Sequence, residues 1–67
     1  MMKGTVKFFN MVKGFGFITA EGGEEIFFHK SNVKNTGFRD VLVEGDDVTF
    51  ELKTEQKGKR AYNISRV

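Results

Sequence analysis

"KGFGFI" at residues 13–18 and "IFFHK" at residues 26–30 hold four of the chain's eight phenylalanines and its single histidine. Both stretches alternate with the two-residue period of a strand rather than the 3.6-residue period of a helix. Phe15, Phe17 and Thr19 share one side of the first, with Gly16, Ile18 and Ala20 on the other. Ile26 and Phe28 oppose Phe27 and His29 in the second. Between them "EGGEE" (residues 21–25) supplies two glycines for a turn. The reading is therefore a hairpin, and its open question is which face the rings take.

Outward from this hairpin the chain stays β-like. "GTVKFFN" (residues 4–10) is β-branched and aromatic, as strands prefer. "DVTFELK" (residues 47–53) sets Val48, Phe50 and Leu52 against Thr49, Glu51 and Lys53, a half-buried strand. "EQKGK" reads as a loop and "RAYNISRV" (residues 60–67) as the closing strand. "SNVKNTGFRDVLVEGD" (residues 31–46) reads as loop, with one helical turn near residues 31–33. Five short strands, no proline and no long helix predict an all-β fold, a five-stranded antiparallel barrel. With no repeat or linker, residues 1–67 form a single domain.

Parity then sorts the rings. If Val48, Phe50 and Leu52 point inward, so do Ile26 and Phe28, because their alternates include His29. Ile18 inward leaves Phe15 and Phe17 outward. Val6, Ile18, Ile26, Phe28, Val33, Val48, Phe50, Leu52 and Ile64 can fill a core without them. A phenylalanine in a strand is usually core, and a one-residue bulge reverses parity. Each assignment alone is therefore open, but Phe15, Phe17, Phe27 and His29 would all have to be misassigned together. An outward aromatic cluster marks a binding surface. Rings interleaved with Lys7 and Lys13 suit unpaired nucleotides: bases stack on rings and ammonium groups meet phosphates. A duplex offers such rings no free base faces.

Composition narrows the alternatives. A chain of 67 residues buries a modest share of its surface, and without cysteine it has no disulfide or thiolate metal site. No apolar run approaches the roughly 20 residues of a membrane span, and the N-terminus lacks a signal peptide's apolar core; a soluble, cytoplasmic protein is expected. The net charge of +2 is segregated. Lys3, Lys7 and Lys13 lead the chain without an acid, acids crowd residues 40–51, and Lys57, Lys59, Arg60 and Arg66 close it. No enzyme, cofactor, metal or small-molecule substrate is expected. Glu24–Glu25 and Asp46–Asp47 read as solvated turn charges, Ser31 and His29 lack a third group to orient them, and "GFG" lacks the spacing of a phosphate loop. "NIS" at Asn63 matches a glycosylation pattern by chance. The rival is a small barrel binding a proline-rich peptide; acids, tryptophan or several tyrosines beside the rings would favour it, and lysines and phenylalanines stand there instead.

These residues, in this order, resemble the cold-shock domain family. "KGFGFI" is similar to its first ribonucleoprotein motif and "IFFHK" to its second, V-F-V-H-F. "GTVKFFN" is similar to its opening G-x-V-K-W-F-N, "TGFRDVLVEGDDVTFEL" to a later segment, and "GKRAYNISRV" to its closing A-x-N-V strand. The resemblance covers nearly the whole chain at the length of a stand-alone bacterial-type cold-shock protein. It implies an OB-fold barrel that binds single-stranded RNA and DNA as a chaperone in the stress response, melts weak RNA secondary structure and works as a monomer. It carries over Phe8, Phe15, Phe17, Phe27, His29 and the loop aromatic Phe38 as base contacts. Lys7, Asn10, Lys13 and Lys57 follow as polar contacts, and Phe9, Lys30 and Arg60 complete the expected interface. Alternation puts Phe8 inward with Val6, whereas the resemblance puts it outward, so a bulge or strong coiling is expected in the first strand. Two departures stand out. Phe8 occupies a position where tryptophan is common, and Lys30 stands where the second motif has phenylalanine, exchanging a ring for a charge.

Overall fold

The computed structural model describes residues 1–37 and 41–67. Its strands are β1 (Met2–Asn10), β2 (Phe15–Ala20), β3 (Glu25–His29), β4 (Val33–Asn35), β5 (Asp47–Glu55) and β6 (Gly58–Arg66). A single 3-10 turn, Lys30–Asn32, joins β3 to β4. The sheet order is β3-β2-β1-β5-β6-β4, and β6 also pairs with β3, which closes five strands into a barrel. Pairings among β1, β2, β3, β5 and β6 are antiparallel except the closing one. There β6 meets β3 in parallel, Phe27 opposite Arg60. The segment read as loop with one helical turn thus also holds a three-residue strand, β4, which runs parallel to β6. Val33 anchors it by packing against the core.

The core is Val6, Ile18, Ala20, Ile26, Phe28, Leu42, Val48, Phe50, Ala61 and Ile64, with Val33 and Leu52 partly buried against it. Period-2 patterning holds along β2 and β3, where Gly16, Ile18 and Ala20, then Ile26 and Phe28, are buried. It breaks in two other strands. Between Val6 and Phe8 the β1–β2 register slips, so that Val6 faces Ile18 while Phe8 faces Phe17. Lys7 is the extra residue of a bulge, which turns Phe8 outward and sends Phe9 inward onto Phe28. The inward placement that alternation gives Phe8 is corrected by this bulge. In β6 the register with β5 slips between Thr49 and Glu51, and Asn63 there has φ +51°. That second bulge lets Ala61 and Ile64, three positions apart, both point inward.

Two local features hold the ring-bearing hairpin in place. At Gly16 a Cβ would lie 2.4 Å from the Phe8 carbonyl oxygen and 2.8 Å from the Phe28 ring, so only glycine lets these approach. At Gly14 the β1–β2 turn passes through φ +77°. Asp46 corrects a second expectation. It is 8% exposed, accepts a hydrogen bond from the Val43 N–H at 2.9 Å and lies 3.5 Å from the Arg66 guanidinium. It is a turn anchor, because a buried carboxylate needs such partners. Among the described residues no helix is long and apolar enough to cross a membrane.

Candidate nucleic-acid interface

β1, β2 and β3 lie side by side, and their outward positions collect the rings. Phe8 sits opposite Phe17, Phe17 opposite Phe27, and Phe15 opposite His29. Of these cross-strand neighbours, Phe17 and Phe27 touch directly. Phe15 and Phe27 are nearly parallel with centroids 6.0 Å apart. Phe17 meets both edge-on, at 6.4 Å from Phe15 and 5.8 Å from Phe27. Phe8 tilts against Phe15 at 5.9 Å. Phe15, Phe17 and Phe27 are half-buried by one another, and Phe8 is 37% exposed. None of the four belongs to the core cluster.

Barrel closure adds a cation to this face. Because Arg60 pairs with Phe27, its guanidinium lies 4.9 Å from the Phe27 centroid, within cation–π range. It also lies 3.6 Å from Glu55, and its Nε is buried without a hydrogen-bond partner. A cleft beside it is lined by Phe27, Arg60 and the hairpin residues Glu55, Gln56, Lys57, Gly58 and Lys59. Lys57 thus borders the ring cluster from the β5–β6 turn.

The remaining expected contacts are placed as follows. Lys7 projects from the β1 bulge and pairs with Glu25 at 2.8 Å, both half-exposed. Asn10 uses its side-chain oxygen to accept from the Lys13 N–H at 3.0 Å, which shapes the turn and leaves Lys13 exposed. His29 Nδ1 accepts from the Ser31 N–H at 3.1 Å and lies 2.9 Å from the Ser31 hydroxyl. An accepting Nδ1 leaves the neutral ring's proton on Nε2, as a donor. Lys30 lays its alkyl stem over Gly14, where a Cβ would be 3.0–3.2 Å from it. Phe9 stands apart from the other rings, stacked on Phe28 at 5.5 Å. Phe38 lies outside the described residues. Among the described residues no group of three or more His, Asp or Glu could hold a metal.

The sequence reading leaves three residues out that share this surface. Lys59 is ion-paired with Glu24, and Lys53 lies 4.9 Å over the Tyr62 ring. Tyr62 donates its hydroxyl to Glu55. That hydrogen bond, with desolvation and the carboxylate's charge, raises the phenol above its usual 10.0 and keeps it protonated. The signal was present: Tyr62 is the sole tyrosine and keeps parity with Arg60. Acids thus hold three cations on this side, Lys7, Lys59 and Arg60, in exposed pairs that contribute little each and yield readily to a phosphate.

With this geometry in view, residues 2–67 match the 'Cold-shock' DNA-binding domain family. The chain is similar to the major cold shock protein of Streptococcus pyogenes, at 45% identity over all of this chain and 98% of the other. It is equally similar to the cold shock-like protein CspLB of Listeria monocytogenes, at 45% identity over the full length of both. The cold shock-like protein CspD of Bacillus cereus is 46% identical over 98% of each chain. Among solved structures, Drosophila Unr CSD456 superposes with a TM-score of 0.77 at 24% identity. This chain accounts for 98% of itself and 26% of that larger chain in the superposition, a likeness of fold.

Proposed function

The chain belongs to the 'cold-shock' DNA-binding domain family, whose members bind single-stranded nucleic acids, and we propose that its ring face is where it does so. Successive bases stack on Phe8, Phe15, Phe17, Phe27 and His29. Lys7, Lys13, Lys57 and Arg60 meet the phosphates, with Lys30, Asn10, Phe9 and Phe38 at the margin. The observation that carries this reading is the cluster itself: four rings from three strands touch on one outer face while the core is filled without them. An exposed aromatic patch of that kind has no role in folding that buried rings would not serve better.

The energetics suit a chaperone. One stacked base is worth about 1–3 kcal/mol, the same order as the roughly 1.4 kcal/mol of a base-pair step. Captured bases therefore compete with weak hairpins and lose to long duplexes. The domain acts as a monomeric binding module in the cytoplasm, spanning residues 1–67, without catalysis. The test is an anisotropy titration of labelled oligothymidine, a duplex of equal length and a proline-rich peptide. Tight binding of the single strand alone is expected. Equal affinity for the duplex, or preference for the peptide, would overturn the reading.

A further inference from the structure

The ring face does not stop at Phe27. Arg60 and Tyr62 are alternate residues of β6, separated by the buried Ala61, so both point out of the barrel. Across the ladder Lys53 faces Arg60 and Glu51 faces Tyr62. Two ring-and-cation pairs thus follow one another round the barrel. Arg60 lies 4.9 Å over Phe27, and Lys53 lies 4.9 Å over Tyr62. Glu55 ties them together by touching Arg60 at 3.6 Å and accepting the Tyr62 hydroxyl. Positions two apart on a strand are separated by roughly 7 Å, within reach of one further nucleotide of an extended single strand. Arg60 also has donors to spare. Among the described residues Glu55 is its only charged partner, which leaves terminal N–H groups for a phosphate, while Nε is buried. A guanidinium carries five N–H donors.

We infer that Tyr62, Lys53 and Arg60 form an additional nucleotide subsite, continuous with the ring face. It takes a base on the exposed side of the phenol ring and the linking phosphate between the two cations. This rests on the single-strand reading above and extends its footprint over the β5–β6 hairpin. The negative charges facing the subsite are Glu51 and Glu55. Both already have partners, Glu51 in the Asn63 amide and Glu55 in Tyr62 and Arg60. They bias the subsite toward a single phosphate rather than a dense polyanion.

The chain has one tyrosine and no tryptophan, so its intrinsic fluorescence reports Tyr62 alone. Oligothymidines of about 6 and about 12 nucleotides bracket the footprint of one such barrel. The wild type should show tyrosine quenching with the longer oligonucleotide and little with the shorter. Tyr62→Ala should weaken the longer by about tenfold, the worth of one stacked base, and leave the shorter within about twofold of wild type on the same scale. Tyr62→Phe should keep the affinity, because the ring and not the hydroxyl is used. Phe17→Ala should weaken both lengths. If Phe17→Ala weakens both while Tyr62→Ala changes neither, or changes both equally, the subsite is refuted and the main face stands. If Phe17→Ala weakens neither, the ring face fails and the subsite with it.

Discussion

Replacing Phe27 by alanine separates binding from folding more cleanly than any other change. The ring lies outside the core cluster and touches Phe15, Phe17 and Arg60. Its loss removes two aromatic contacts of about 0.5–1.5 kcal/mol each and a cation–π contact of about 0.5–1 kcal/mol. Exposed rings recover part of this in the remaining cluster, so a stability loss near 1–2 kcal/mol is expected on those scales. The neighbouring Phe28 is wholly buried, stacked on Phe9 and packed under Gly16. Phe28→Ala should lose about 3–5 kcal/mol. A domain of this length holds roughly 3–10 kcal/mol in all, so that variant should lose a third or more of its stability. Affinity divides the other way. Phe27→Ala should lose one stacked base, about 1–3 kcal/mol or roughly five- to 150-fold in Kd. The assays are a denaturant melt and an oligothymidine titration of each variant. A Phe27→Ala protein destabilised as much as Phe28→Ala, with unchanged affinity per folded molecule, would refute the outward role of the ring.

Three further outcomes are expected. If Lys7, Lys13, Lys57 and Arg60 meet four phosphates, log K against log salt should slope near −3, from about −0.7 per contact. Lys13→Ala should flatten that slope, and Glu25→Gln, which releases Lys7, should raise affinity at a given salt with the slope little changed; a slope of zero would leave the lysines merely solvated. Lys30→Phe should bind oligothymidine more tightly at high salt with a shallower slope, because stacking is not screened as charge is. A Lys30→Ala protein with an unchanged slope would show that the Lys30 ammonium meets no phosphate. Asn63→Ala should lose the hydrogen bond to Glu51 at 2.6 Å and a part of the about 1–2 kcal/mol left-handed cost that asparagine tolerates better than alanine. Asn63→Gly should lose only the hydrogen bond, and equal losses in denaturant melts would rule out backbone strain.

The all-β class, the places of β2 and β3 and the faces of their side chains were legible in the chain itself. Along those strands every residue pairs in register, and a two-residue period survives only where pairing is regular. The same period names Val48 and Phe50 as core. It misplaces Phe8, because the bulge at Lys7 is set by where β2 pairs on one edge of β1 while the Val43–Asp46 turn takes the Val6 backbone groups on the other. It is silent on Ala61 for the same reason, since the extra residue at Asn63 exists only relative to β5. Leu42, in a stretch without periodicity, becomes core because its loop folds over the barrel, a contact no local pattern encodes. The ring residues are marked by composition and parity, but their assembly is not. Phe8, Phe17 and Phe27 become one surface only when three strands align, and Arg60 reaches Phe27 only when β6 closes the barrel in parallel. Alternation is a property of one strand read alone; a shared face, an ion pair and a bulge are properties of strands in contact, and the chain settles them only by folding.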